Sequence, residues 1–201
     1  MTRKTNMMVT LLILAAVLLA AGLWLGSRLR VGRSRLQIPE GEARFPLVSG
    51  YNLQREEYQF PADFGGDLNL LLVPFQRQQQ RDVNTWIPSA QTLERTYGGL
   101  IYYELPTIYR LPALSRTFIN EGMRAGIPDQ TARERTVTLY LDKEAFKDAL
   151  AIKGEDEIQL FLVDREGTIL WRGTGPHSAE MERDLVEVLE EIKEDETSGG
   201  D

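Results

Sequence analysis

From Leu68 to Phe75 the chain reads "LNLLLVPF", an apolar run broken only by Asn69. Continuous runs of this kind mark a strand covered on both faces, because alternation survives only where one face meets water. Helical spacing takes over next. Val83, Trp86, Ala90, Leu93 and Tyr97 share one face of a helix predicted from Gln79 to Tyr97, and Gly98 with Gly99 stops it. "LIYYEL", Leu100 to Leu105, then returns as a second strand. Strand, helix, strand in this order demands a right-handed parallel crossover. The chain is thereby restricted to sheets with helices packed on them.

The flanking segments extend the pattern. "LVSGYNL" opens the domain, after a linker in which Pro39, Gly41 and Pro46 stand among polar residues. Leu114 to Ala125 reads as a helix entered after Pro112 and closed by Gly126. Thr136 to Leu141 alternates, with Val137, Leu139 and Leu141 on one face. A short helix follows from Lys143 to Leu150. Ile158 to Val163 and Thr168 to Arg172 then flank "DREG", a hairpin turn in which Gly167 supplies positive φ. A last helix begins near Pro176, with Met181, Leu185, Val188, Leu189 and Ile192 as its buried stripe. No internal repeat is present.

The amino terminus follows other rules. "MVTLLILAAVLLAAGLWLG", Met8 to Gly26, is uncharged, and its nineteen residues at about 1.5 Å each nearly match a hydrocarbon core of about 30 Å. It is longer than the apolar part of a secretory signal, and no small-x-small cleavage site follows it. Trp24 stands where an interfacial aromatic belongs. The expected organisation is a short basic amino terminus (1–7), a transmembrane anchor (8–26), a basic and then Pro/Gly-containing linker (27–44), a domain (45–192) and an acidic disordered tail (193–201). Four arginines in "SRLRVGRSR" face two basic side chains and the α-amine upstream, which leans the domain towards the cytoplasm; a short basic amino terminus equally suits an N-inside anchor. The side therefore stays open.

Charge and composition narrow the chemistry. Residues 1–35 hold six basic side chains and no acid, so the formal −7 of the chain leaves −13 on residues 36–201. Nucleic acid is a poor partner for so acidic a domain, and a protein partner a better one. With no cysteine and one histidine, His177, thiolate catalysis and Cys or His metal sites are excluded, and no cofactor is expected. His177, beside a Gly-Pro turn, reads as solvent-facing and structural. Ser-His pairs, carboxylate pairs and phosphate-cradling glycine loops cannot be placed on convergent positions, so no catalytic residue is assigned.

The order of elements, with "LYLDKEAFKDALAI" and the hairpin "LFLVDREGTILWRGTG", resembles the thioredoxin-like fold in its peroxiredoxin and thiol–disulfide-reductase form. That resemblance implies an α/β three-layer sandwich around a central mixed sheet, here behind one transmembrane helix. Within that superfamily, "FLVDREGTILWRGTGPHSAEMERDLVEVL" and "INEGMRAGIPDQTARERTVTLYLDKEAFKDALAI" look like the mitochondrial ATP-synthase assembly-factor family, which implies a non-catalytic factor acting on the synthase membrane sector. The anchor departs from that family's pattern.

The resemblance also says what is missing. Pinning the helix-kinking proline of thioredoxins on Pro88 puts Gln80 and Val83 at the two cysteine positions. Peroxiredoxin-type loops put theirs nearer Gln76 to Gln79. The cis-proline that faces the thiol falls near Ile158. None of these residues is a nucleophile, so covalent redox chemistry is not expected. What remains is a polar loop, Gln76, Arg77, Gln78, Gln79, Gln80 and Arg81, at the carboxyl end of a central strand, where ligands bind in open sheets. It reads either as a partner-binding surface or as the solvated first turn of the helix. The expected function is a membrane-tethered, redox-inactive module that binds or assembles proteins, plausibly an integral-membrane subunit. A ligand-binding or sensory domain on the same anchor is the alternative, with a non-thiol enzyme third.

Overall fold

The computed structural model describes residues 43–198. The anchor, the basic amino terminus and nearly all of the linker expected over residues 1–44 lie outside them, as does the end of the tail. Among the described residues no helix is long and apolar enough to cross a membrane.

Among the described residues, eight strands form two four-stranded sheets. In the first, β3 (Leu68–Val73) lies between β4 (Leu100–Glu104), which is parallel to it, and β7 (Gln159–Asp164), which is antiparallel; β8 (Ile169–Thr174) pairs antiparallel to β7 at the edge. In the second, β1 (Val48–Asn52) pairs antiparallel with both β2 (Glu57–Phe60) and β6 (Val137–Leu141), and β5 (Thr107–Tyr109) runs parallel to β6. A parallel bridge between Glu104 and Thr136 joins the two.

Two cores form because β3 carries apolar side chains on both faces. Leu70 and Leu72 pack with Leu160, Leu162 and Tyr102 against helix α1 (Gln80–Thr96) and helix α5 (Ala179–Ser198), which present Val83, Trp86, Leu93, Leu185 and Leu189. Leu71 and Val73 point the other way, into a core shared with Phe60, Val137 and Leu139 of the second sheet and with Phe146 and Leu150 at helix α4 (Lys143–Ala149). Each buried leucine or phenylalanine contributes about 1.5–3 kcal/mol relative to exposure. The expected apolar run is thus a strand buried on both sides.

The central mixed sheet of the expected sandwich is present, covered on both faces. Both α1 and α5 cover one face of the mixed sheet, and the opposite layer is a second sheet with α4. The hairpin β1–β2 and the three-residue β5 are too short for period-two alternation to reveal them, and helix α3 (Gln130–Arg135) has no buried residue to set a period. Its start is fixed instead by Asp129, whose carboxylate accepts from the Ala132 amide at 2.7 Å. Helix α2 (Ala113–Gly126) begins after Pro112 as expected. Helix α5 starts at Ala179 and continues to Ser198, six residues beyond the expected domain end, so residues 193–198 are helical where a disordered tail was expected. Acidic side chains dominate that last stretch, which hides its helix-forming tendency behind charge.

The β7–β8 turn forms as expected. Asp164 accepts from the Thr168 amide at 2.7 Å, and Gly167 has φ +85° with a Cβ there coming within 2.9 Å of Pro61. Trp171 is buried, edge-on to Trp86 with centroids 6.5 Å apart, and Tyr102 and Tyr103 are strand packing.

Candidate functional site

The carboxyl end of β3 feeds Pro74, Phe75 and a 3-10 turn, Arg77–Gln79, before α1 begins at Gln80. Gln76 and Gln79 close this turn on each other as a capping pair. Gln79 is 2% exposed. Its Oε1 accepts from the amides of Phe75 (2.7 Å) and Gln76 (3.1 Å), and its Nε2 donates to the Glu155 carbonyl at 2.7 Å. Gln79 therefore holds the loop together from inside and drops out of the expected partner surface. Gln76 is half-buried, with Nε2 donating to the same carbonyl at 2.8 Å and a further bond from Gln78 to its Oε1. Arg77, Gln78, Gln80 and Arg81 face solvent. The expected loop is thus an exposed cationic and amide rim on a buried glutamine frame.

Gln80 is the first residue of α1 and Val83 is fully buried beneath it. Helix amino termini depress thiol pKa values. Here the position carries an amide, which cannot act as a nucleophile. Gln80 Nε2 instead donates to Asn84 at 3.2 Å and to Glu104 Oε2 at 3.1 Å. Glu104, at the end of β4, is 6% exposed; burial pushes its carboxyl above the usual range against the smaller effect of the Gln80 bond.

Behind the loop, the segment before β7 supplies Glu155. The buried ammonium of Lys143 (4% exposed) reaches Glu155 Oε2 at 2.5 Å and the Phe75 carbonyl at 3.2 Å, and it lies 4.6 Å from the Tyr109 ring centroid. Lys147 bonds Glu155 Oε1 at 3.1 Å. Burial works against the Glu155 carboxylate, but the hydrogen bonds from the two lysines outweigh it and hold the carboxyl below its usual range. The segment expected to face the absent thiol does face the loop, through Glu155, and Ile158 stands at its end with no proline. Glu104, Lys143 and Glu155 escaped sequence reasoning. Only the Asp142 N-cap ahead of Lys143 could have hinted that this turn is held inward.

His177 is half-buried rather than solvent-facing. It meets Glu182 Oε2 at 3.0 Å and packs edge-on to Trp86, while Ser89 donates to the other Glu182 oxygen at 2.5 Å. Serine and histidine both address the carboxylate and not each other, so the trio lacks the nucleophile–base contact that acyl transfer needs. On the far side of the second sheet, a cleft of about 260 Å³ separates α2 from β1 and β6, lined by Tyr51, Arg55, Arg116, Asn120, Glu121 and Tyr140. Tyr140 donates to Asn120 at 2.7 Å, and burial raises its phenol to about 12.

No protein-family model and no curated protein sequence matches this chain. Solved structures do. A provisionally classed electron transport protein of Aquifex aeolicus superposes with a TM-score of 0.52 at 11% identity, over 74% of this chain and 95% of its own. The thioredoxin domain of a thiol-disulfide oxidoreductase from Bacteroides vulgatus gives 0.47 at 16%, over 74% and 96%. An exposed lipoprotein thioredoxin of Streptococcus pneumoniae gives 0.47 at 11%, over 73% and 99%. The topology itself, a β4-β3-β7-β8 sheet with β3 and β4 parallel and α1 and α5 on one face, is thioredoxin-like. At these identities the likeness speaks to fold alone.

Proposed function

We propose that this chain is a membrane-tethered, redox-inactive thioredoxin-like module that binds a protein partner and serves its assembly. One observation carries the reading: where the thioredoxin resemblance places thiols, Gln80 and the buried Val83 stand, at the start of a helix whose entry loop Gln79 fixes in place. A rigid rim of Arg77, Gln78, Gln80 and Arg81 suits recognition of carboxylates and peptide groups without chemistry on them. The tether is residues 8–26. The sequence resemblance to ATP-synthase assembly factors supports an integral-membrane subunit of that enzyme's membrane sector as the partner.

Crosslinking in native membranes followed by mass spectrometry tests this. An integral-membrane protein should be trapped, and Arg77→Glu with Arg81→Glu should reduce its capture. Arg77 is exposed and, among the described residues, Arg81 pairs with its neighbour Asp82 at 3.4 Å, so the double variant should change stability by under about 0.5 kcal/mol per site. Undiminished capture would move the contact to another face. A second reading, a ligand-binding or sensory domain, is favoured by the polar cleft under α2; capture of small molecules alone would select it.

A further inference from the structure

Helix α2 carries apolar side chains on both faces. Arg116, Ile119, Asn120, Met123 and Arg124, on its inner face, are only half-buried, and no residue of the helix is buried. Its outer face carries Leu114, 87% exposed, and one turn on Phe118, 83% exposed. Surface helices normally put their apolar stripe inward. Around these two side chains the charge also departs from the rest of the domain. From Leu105 to Asn120 there is no acid, while Arg110 and Arg116 are present, within a region whose net charge is −13. Neither arginine is paired with a carboxylate among the described residues; Arg116 lies over the Tyr140 ring, 5.9 Å from its centroid. Tyr51, 41% exposed, borders the cleft beside α2.

We propose that the outer face of α2 docks on a lipid bilayer, with Leu114 and Phe118 entering the acyl boundary and Arg110, just ahead of the helix, meeting headgroup phosphates. The proposal deepens the membrane-tethered reading and rests on it. Sixteen residues, 27–42, separate the apolar segment from the described domain, a reach of about 50 Å when extended, so the tether would leave α2 free to meet the membrane surface. Two protruding side chains on one helix fall well short of the roughly 1,000 Å² that a stable protein–protein interface needs. A fluid surface asks for no matching shape, and two apolar side chains one turn apart on an exposed helix face suit a shallow contact with it.

The chain has no cysteine, so a single introduced one can be labelled uniquely. Full-length Leu114→Cys, Phe118→Cys and, as a control on α5 across the molecule, Asp184→Cys carry an environment-sensitive fluorophore. Each is reconstituted into vesicles of phosphatidylcholine with brominated acyl chains, with and without phosphatidylserine. Labels at 114 and 118 should lose fluorescence to the brominated lipid and resist aqueous iodide in both vesicles, since the apolar pair and not charge makes the contact; the label at 184 should do neither. Adding Phe118→Asp should return the label at 114 to the control level. Labels at 114 and 118 as open to iodide as the control would overturn the docking, as would shielding from both quenchers, the signature of coverage by another copy or by the chain itself. Flotation separates the two readings. A chain that floats without quenching keeps the tether and loses the docking. One whose flotation is abolished by Leu114→Asp with Phe118→Asp keeps the docking and loses the tether. A chain that never floats loses both.

Discussion

Gln79 has every hydrogen-bonding direction of its amide oxygen committed to the loop, and its nitrogen holds Glu155. Gln79→Ala would strand the amides of Phe75 and Gln76, while the Glu155 carbonyl keeps its bond from Gln76, a loss on the order of 2 kcal/mol. For a domain of this size that lowers Tm by about 4–8 °C, which calorimetry can read, while exposed Gln78→Ala should be nearly silent. Glu104 acts in the opposite sense. Its carboxyl is raised in the folded state, chiefly by burial, so the folded chain holds a proton that the unfolded chain releases near the ordinary value of 4.5. Stability contributed by the protonated form is complete below that value and falls as pH rises towards the raised one. Glu104→Gln removes the penalty and keeps an acceptor for Gln80. Thermal melts should show the variant equal to the parent at pH 4 and more stable at pH 7; equal melting at both would mean Glu104 ionises freely.

At the scale of elements, α1 has the layout that a Cys-x-x-Cys pair would need. It begins at the end of β3, contains Pro88, and presents one exposed and one buried residue at the spacing of a Cys-x-x-Cys pair. Residues three apart on a helix lie within disulfide reach. The double variant Gln80→Cys, Val83→Cys should therefore form a disulfide in air. Its turnover in an insulin-reduction assay should remain weak, because Val83 is fully buried and the segment ending at Ile158 has no proline to receive a substrate chain. Turnover at the level of a thioredoxin would show that side-chain identity alone had silenced the site.

For the whole molecule the proposed tether makes a separate prediction. Apolar burial in hydrocarbon is not screened by salt, so the full-length chain should stay with membranes through carbonate and high-salt washing. A soluble species beginning near residue 27 would show that the segment is cleaved. Thiol chemistry needs a thiolate, and the chain has no cysteine, so the purified protein should turn over neither insulin nor peroxide.

The sequence by itself determined the elements that repeat a physical signal many times. "LNLLLVPF" could only be a strand covered twice, the 83-86-90-93-97 spacing only a helix with one buried face, and "DREG" a tight turn, because periodicity and glycine act locally. Absence of cysteine was equally legible, and with it the loss of thiol chemistry. Tertiary structure alone decided which side each polar residue faces. Gln78, Gln79 and Gln80 are identical letters, yet Gln79 is sealed inside by Glu155, seventy-six positions away, while its neighbours face water. The split into two sheets, the buried Glu104 and Lys143, and the outward apolar face of α2 were hidden for the same reason: each depends on contacts between distant segments, and no local pattern records them.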